Sequence, residues 1–468
     1  VEVNTKNFRG LSESACADVK LRAVLDHATR HFQHNRQASM DALPHREEHF
    51  ARARAARFSA LAHLPDLLEE LERNATAAGT TVHWAADAEQ ARSIVVDIAK
   101  AANAKVIVKG KSMITEEIGL NPALEAMGAE VWETDLGEFI VQLAGEPPSH
   151  IIAPALHKSR EDVVKLFAEK LGLHGEAIPE LTMLARRALR EKFLSADMGI
   201  TGVNMAVAKT GSVVLVENEG NIRMSTTCPP VHAAVMSIEK VVADFDAVAD
   251  VLRVLPRSTT GQRMSSYVSV LTGPRLEGET DGARETHLVI LDNGRSRVLA
   301  DPELRETLAC VRCGACLNVC PVYQTIGGHA YGWIYPGPIG ALLSTLLLPA
   351  GQTRDLPYGC TLCGACHRTC PLSINHPKAL LALRARAAGG RGTLAGRTHS
   401  LLARHPLAYR LAVGAARAVD PQLEKLPRLI SLAGGSGVAQ FVASRRPPEL
   451  KKSFSARRRA AQANKERS

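Results

Sequence analysis

Eight of the ten cysteines in this 468-residue chain fall into two short runs. The first is Cys310-Val-Arg-Cys313-Gly-Ala-Cys316-Leu-Asn-Val-Cys320-Pro321 and the second is Cys360-Thr-Leu-Cys363-Gly-Ala-Cys366-His-Arg-Thr-Cys370-Pro371. Both read C-x2-C-x2-C-x3-C-P. Three cysteines spaced by two residues can wrap three irons of a cubane from one tight loop, and a fourth thiolate completes a [4Fe-4S] cluster. Zinc is the competing chemistry, because C-x2-C pairs also build zinc ribbons; tetrahedral zinc draws on two separated pairs, whereas here four cysteines lie within eleven residues, twice. The runs therefore point to two [4Fe-4S] clusters. In two-cluster ferredoxins the fourth cysteine serves the other cluster. That rule assigns Cys310, Cys313, Cys316 and Cys370 to one cluster and Cys360, Cys363, Cys366 and Cys320 to the other, tying the runs together across the 39 residues between them. Cys16 and Cys228 have no partner at ligand spacing and are expected to be buried or inert thiols.

The elements that must position these runs are legible in the alternation of apolar patterns. Residues 1–65 are charged and Ala-rich, with apolar residues at helical spacing and no glycine between Gly10 and Gly79, which predicts a helical segment. From residue 66 helix and strand alternate: DLLEELERNATAAG, then TVHWA, AEQARSIVVDIAKAAN, KVIVKG, NPALEAMGA, EVWETD, GEFIVQLAG and SHIIAPA. Two helices follow, and after them the strand candidates NMAVAKT, SVVLVEN, KVVADF and THLVIL. This rhythm implies one α/β domain over 66–300 with a mostly parallel sheet covered by helices. Residues 301–385 lose the β-rich runs and take up cysteine, proline and glycine, which marks the cluster-bearing domain. Residues 386–468 read as a helical region ending in a basic tail, with nine Lys/Arg against Glu449 and Glu466 after Ser444.

Composition narrows the function. The net charge is 57 − 48 = +9, most of it in that tail, and the 4% aromatic share leaves few rings for stacking on bases, so nucleic acid is not expected. The longest apolar run, IGALLSTLLLP at 339–349, falls short of the roughly 20 residues of a transmembrane helix. With no basic start followed by an apolar stretch at the N-terminus, a cytoplasmic chain is expected, peripheral at most to the inner face of the membrane. Gly110-Lys111-Ser112 lacks the first glycine of a P-loop, and Gly390-Arg-Gly392 follows a helix-like stretch, so neither supports a nucleotide site.

The motifs KGKSMITEEIGLN (109–121), ETDLGEFIVQL (133–143), PSHIIAPALHK (148–158), ADMGITGVNMAVAKTGSVVLVENEGNIR (196–223) and IEKVV (238–242), followed by the cysteine runs, resemble the lactate utilisation iron-sulfur protein B family (LutB/LldF) along nearly the whole chain. Gly110 stands where the family motif is expected to carry Ser. The resemblance implies a LUD domain, an α/β fold like ribose-phosphate isomerase and glucosamine-phosphate deaminase, fused to a two-cluster module. The long spacer between the runs is similar to the α-helical ferredoxin module of succinate dehydrogenase and heterodisulfide-reductase iron-sulfur subunits. Its stretch YGWIYPGPIGALLSTLLLP (331–349) is read either as core or as a docking face.

By the same resemblance, loops after strands would cradle an anionic ligand through Lys109, Ser112, Thr201, Gly202, Asn204, Glu217, Glu219, Gly220 and Asn221. The implied activity is electron transfer within a complex that oxidises L-lactate to pyruvate. The implied partners are a cysteine-rich subunit resembling heterodisulfide reductase and a LUD-only subunit, with the quinone pool as acceptor. Two alternatives stand beside it: a LUD domain that is itself catalytic on a hydroxy acid or sugar phosphate, with Glu217 or Glu219 as general base, and a redox-sensing iron-sulfur scaffold.

Overall fold

Short β-branched runs set the frame. In the computed structural model, which describes residues 3–388 and a few positions between 400 and 411, the strands are β1 (Thr81–Ala85), β2 (Val106–Lys109), β3 (Glu130–Glu133), β4 (Met198–Gly202), β5 (Met205–Val207), β6 (Ser212–Glu217), β7 (Val231–Ser237), β8 (Val241–Val242), β9 (Tyr267–Leu271) and β10 (Glu285–Leu291). Six form one sheet in the order β1-β10-β7-β4-β2-β3, and every pairing in it is parallel. Parallel strands need crossovers, and the helices Ala88–Ala101, Leu120–Ala126 and Leu136–Ala144 supply them.

Burial on both faces follows the two-residue period of a strand. Ile107, Ile200, Val231, Ala233, Val235 and Val289 point into one helical layer, whereas Ala234, Met236, Leu288 and Ile290 point into the other. Each of the larger side chains contributes roughly 1.5–3 kcal/mol by leaving water. Gly199 of β4 is required by close approach: a Cβ there would lie 1.8 Å from the Ser225 carbonyl oxygen. The second sheet, β8-β5-β6-β9, is mixed, with β5 and β6 antiparallel across the hairpin at Gly211.

The main departure from the expected rhythm is SHIIAPA, which forms turns instead of a strand. Pro147, Pro148 and Pro154 remove three backbone donors around it, so no ladder is available to it. β4, β7 and β9 are present where the sequence signalled strands weakly or not at all. Gly110 gives room rather than backbone freedom: its φ is not left-handed, and a Cβ there would meet Ile222 Cγ1 at 2.9 Å.

The cluster-bearing segment is built from short helices, Ala315–Asn318, Pro321–Ile326, Gly337–Leu347, Ala365–Thr369 and His376–Ala387. Its apolar core includes Leu317, Tyr323, Tyr331, Ile334, Tyr335, Ile339, Leu342 and Leu343, so the 331–349 stretch is largely core. The helices Phe8–Ala17, Val19–Asp41 and Arg46–Ala62 share that core through Phe8, Leu25, Ala53 and Leu61. Residues 3–387 belong to one compact unit. The expected C-terminal helical region beyond residue 388, its basic tail and Gly390–Gly392 lie outside the described residues, apart from the few positions noted above.

Candidate iron-sulfur loops and an adjoining cleft

The two cysteine runs fold alike because their sequences demand the same turns. Arg312 and Leu362, equivalent residues between the first two cysteines, take left-handed φ values of 61° and 57°. Each turns its backbone N–H onto the preceding cysteine, 3.3 Å from Cys310 Sγ and 3.3 Å from Cys360 Sγ. Gly314 and Gly364 follow in the left-handed region, which a glycine adopts without strain, and each starts a short helix. Backbone N–H groups of Ala315 and Ala365 lie near Cys313 and Cys363, and those of Val322, Tyr323, Leu372 and Ile374 near Cys320 and Cys370, and each acts to favour the thiolate against burial. Sulfurs ringed by N–H donors are prepared to carry negative charge.

The thiols sort into two groups by which ones feel each other. Burial first, then Cys370 and Cys310, pushes the Cys313 thiol up to about 12. Cys370 is pushed up to about 11 by burial, with Cys310 beside it. Burial takes Cys320 to about 11, and its thiol neighbours are Cys360 and Cys363; Cys366 reaches about 12 by burial, then Cys360 and Cys320. Cys316 faces Cys310, Cys313 and Cys370 but also Cys366, so the two groups adjoin. Buried thiolates in such company need a compensating cation. Tetrahedral zinc with Zn–S near 2.3 Å would draw its sulfurs to about 3.8 Å from each other. Among the described residues no three cysteine sulfurs fall together within 4.8 Å. Cys310, Cys313, Cys316, Cys320 and Cys366 are buried, whereas Cys363 reaches the surface. Cys16 and Cys228 are both exposed.

A clamp joins the first loop to the α/β domain, and the turns of SHIIAPA form it. Gly328 lies so close to Ser149 that a Cβ would stand 1.7 Å from its carbonyl oxygen, and Tyr323 Oη donates to the same oxygen at 3.0 Å. His150 is buried, stacked on Phe32 at 5.9 Å between centroids. Its Nδ1 accepts from the N–H groups of Ile152 and Ala153, which leaves Nε2 to donate to Asn318 Oδ1 at 3.2 Å. Burial, then Lys111, depresses this imidazole to about 3.

Beneath the clamp runs an ion network that the sequence does not announce. Arg295 grips Glu117 with both Nη atoms, at 2.9 and 2.6 Å, and its Nε lies 3.0 Å from Glu239. Glu239 also pairs with Arg312 at 3.1 Å, and Tyr335 Oη donates to Glu117 at 2.7 Å. Although burial acts in the opposite sense, Arg295 and then Arg312 hold Glu239 down to about 2. Arg57, also buried, donates to the carbonyl oxygens of Val241, Glu239 and Ala309, which binds an N-terminal helix to both domains.

Between the strand ends and the first cysteine loop lies a cleft of about 350 Å³. Of the nine loop residues singled out in the sequence, Ser112, Gly202, Asn204, Glu217, Glu219 and Asn221 line it. Gly202 is there because a Cβ would meet Ser112 Oγ at 2.4 Å. Lys109, Thr201 and Gly220 do not line it. The Lys109 ammonium is committed to Glu116 and Glu133, each at 2.7 Å, and Thr201 shares a hydrogen bond with buried His232 at 2.9 Å. Glu217 is in the cleft wall, but its two oxygens accept the N–H groups of Ile222 and Arg223 at 2.7 Å each, which caps the helix Asn221–Thr227 and leaves it poorly placed as a base. Glu219 is freer; burial and then Asp135 push its carboxyl up to about 7. Residues missed in the sequence are Lys111, Lys240, Val311 and Arg312, which complete the cleft from the opposite side.

Residues 68–291 match the LUD domain and residues 306–374 match the 4Fe-4S dicluster domain. The chain is 46% identical over 382 residues to "Uncharacterized electron transport protein YkgF" of Escherichia coli, covering 81% of this chain and 80% of that one. It is 52% identical over 321 residues to "Lactate utilization protein B" of Bacillus licheniformis, covering 68% and 67% of the two chains. To the protein of the same name from Bacillus cereus it is 43% identical over 375 residues, with 80% and 79% covered.

Proposed function

This chain belongs to the lactate utilization protein B family, a LUD domain joined to a 4Fe-4S dicluster domain, and from that premise we propose that it is the iron-sulfur electron-transfer subunit of a cytoplasmic complex that oxidises L-lactate to pyruvate. In this reading Cys310, Cys313, Cys316 and Cys370 hold one [4Fe-4S] cluster, and Cys360, Cys363, Cys366 and Cys320 hold a second. When bound, such clusters supply one-electron carriage. The observation that carries the reading is the reciprocal grouping of the thiols, with Cys370 among the first loop's sulfurs and Cys320 among the second's.

The protein's own residues give that arrangement a direction. Cys310, Cys313 and Cys316 are enclosed by the clamp and by Arg36, Arg57 and Arg312, whereas Cys363 opens to solvent. Electrons would thus arrive on the α/β side and leave at the exposed second loop. The companions are a cysteine-rich subunit resembling heterodisulfide reductase and a LUD-only subunit, and the quinone pool is the final acceptor. Among the described residues no helix is long and apolar enough to cross a membrane.

The test is anaerobic visible absorption of the complex captured from cells through this chain, before and after L-lactate, with dithionite added last. Bleaching by lactate supports the reading. A band bleached only by dithionite would overturn the lactate assignment while leaving the clusters intact. Cys370→Ser should remove the cluster of the first loop, and retention of about eight irons per chain would contradict the ligand sets.

A further inference from the structure

The cleft has two chemically different ends. At one, Lys240 follows β7 and lines the open space, whereas its neighbour Glu239 turns inward to Arg295 and Arg312. Lys240 makes no ion pair or hydrogen bond among the described residues. Burial, then Arg312, lowers Lys240 to about 7, with Arg57 acting in the same sense; Glu239, already shared between two guanidiniums, and Cys310 act against that. Arg57 and Arg312 turn N–H groups to backbone carbonyls of the first cysteine segment, and Lys111, which also lines the cleft, donates to the Ile152 carbonyl at 2.5 Å, so Lys240 is the lysine of the cleft without a partner among the described residues. This end therefore carries more cationic side chains than carboxylates. At the other end Glu219 stands beside Asp135, and among the described residues only its Oε2 accepts a hydrogen bond, from the Leu136 N–H at 3.0 Å. Apolar wall is supplied by Met113, Ile152 and Val311.

We propose that this cleft seats the organic substrate on this chain: a small 2-hydroxy carboxylate whose carboxylate pairs with Lys240 and whose carbon chain lies against Val311. The inference rests on the electron-transfer reading and adds the place where the acid binds. Val311 and Arg312 lie between Cys310 and Cys313, so a ligand in the cleft touches the loop that carries the first cluster's sulfurs. The volume admits a three-carbon acid with water beside it. The same end could attract inorganic phosphate, and the measurement separates the two anions.

The experiment uses the iron-loaded full chain, without companions, titrated anaerobically by calorimetry with oxamate, a carboxylate that is not oxidised, and separately with L-lactate and inorganic phosphate. One oxamate per chain is expected, displaced by L-lactate, together with a change in the electron paramagnetic resonance of the reduced chain. Lys240→Met should weaken oxamate tenfold or more, as loss of a charge-assisted contact does. Lys240→Arg should restore most of the affinity, and unchanged iron content shows that both variants fold. Chain that binds neither acid, in a complex whose band lactate still bleaches, overturns the proposal and leaves the electron-transfer reading standing. Phosphate bound in preference to both acids also overturns it. A complex that lactate does not bleach, with a chain that nonetheless binds oxamate through Lys240, overturns the electron-transfer reading instead.

Discussion

Arg295→Met tests whether the buried ion network joins the two domains. The side chains of Arg295, Glu117 and Glu239 are all fully buried, so removing the guanidinium leaves two carboxylates in a medium that solvates them poorly. Breaking a buried pair by deleting one partner costs about 3–5 kcal/mol. The lower end applies, because Glu117 keeps Tyr335 Oη and Asn293 Nδ2, both at 2.7 Å, and Glu239 keeps Arg312. A loss of about 3 kcal/mol is a large share of the roughly 5–15 kcal/mol that ordinarily separates native from unfolded protein. The assay is anaerobic urea unfolding of the iron-loaded chain followed by circular dichroism, with iron per chain as a second readout. Glu117→Gln in the same chain should recover part of the loss, since the pair is then replaced by neutral groups. A loss under about 1 kcal/mol, or a double variant equal to the sum of the singles, would refute the network as described.

Other expectations follow from the same geometry. Gly328→Ala places a methyl against the Ser149 carbonyl and should cost several kcal/mol, read as a lower denaturation midpoint with iron lost alongside. Glu217→Gln should lower stability by about 1–3 kcal/mol, because an amide NH2 would face backbone donors; an unchanged midpoint with turnover abolished would instead make Glu217 a base. For pH, burial depresses His150 to about 3 and His157, His232 and His376 to about 4, each from an ordinary value of 6.5. The unfolded chain takes up these protons below pH 6.5 and the folded chain does not, so stability is full above 6.5 and falls as pH drops toward 4, by up to about 1.4 kcal/mol per pH unit per histidine. Glu133 and Glu219, each pushed up by burial to about 7, and Glu138, also raised by burial, take up protons in the folded chain before the unfolded one does and offset part of the fall. A denaturation midpoint that is flat or rising from pH 6.5 to 5 would contradict these assignments. Arg36→Met, which removes a cation near Cys313 and Cys370, should lower the potential of the first loop's cluster by on the order of tens of mV in a redox titration and leave the other unmoved.

The parts legible in the sequence are those whose signal is local. The cysteine spacing, the strands KVIV and THLVIL, and the helices with clean apolar faces each carry their pattern within one window. β7 was not legible because VHAAVMS, buried along its whole length, has no alternation and includes a histidine. β9 has the opposite difficulty, being an edge strand whose Tyr267, Val268 and Val270 stay exposed. SHIIAPA looks like a strand until its prolines are weighed against the need for ladder donors. In the site, six loop residues were placed by their resemblance to a family pattern, but Lys109 was claimed by Glu116 and Glu133, partners that only folding brings near. Lys240 and Arg312 lie inside quoted motifs whose pattern gives them no role; Arg312 meets Glu239 across some seventy residues of chain and Lys240 lines the cleft only once the chain has folded, which no spacing rule reaches.

The crossed ligand sets proposed above also bear on how the protein would acquire its metal. Neither group of four is complete until both cysteine runs have been made and have folded against each other. Cys310, Cys313 and Cys316 leave the ribosome early among the eight, yet they wait for Cys370, which is the last of them to be synthesised. On the proposed ligand sets, iron delivered to a growing chain would find three of the first cluster's four sulfurs, the fourth cysteine of that run, Cys320, being assigned to the other cluster. Cluster insertion is thereby deferred to a nearly finished polypeptide, and a shortage of iron should divide the population into loaded and empty molecules rather than leave many half-filled.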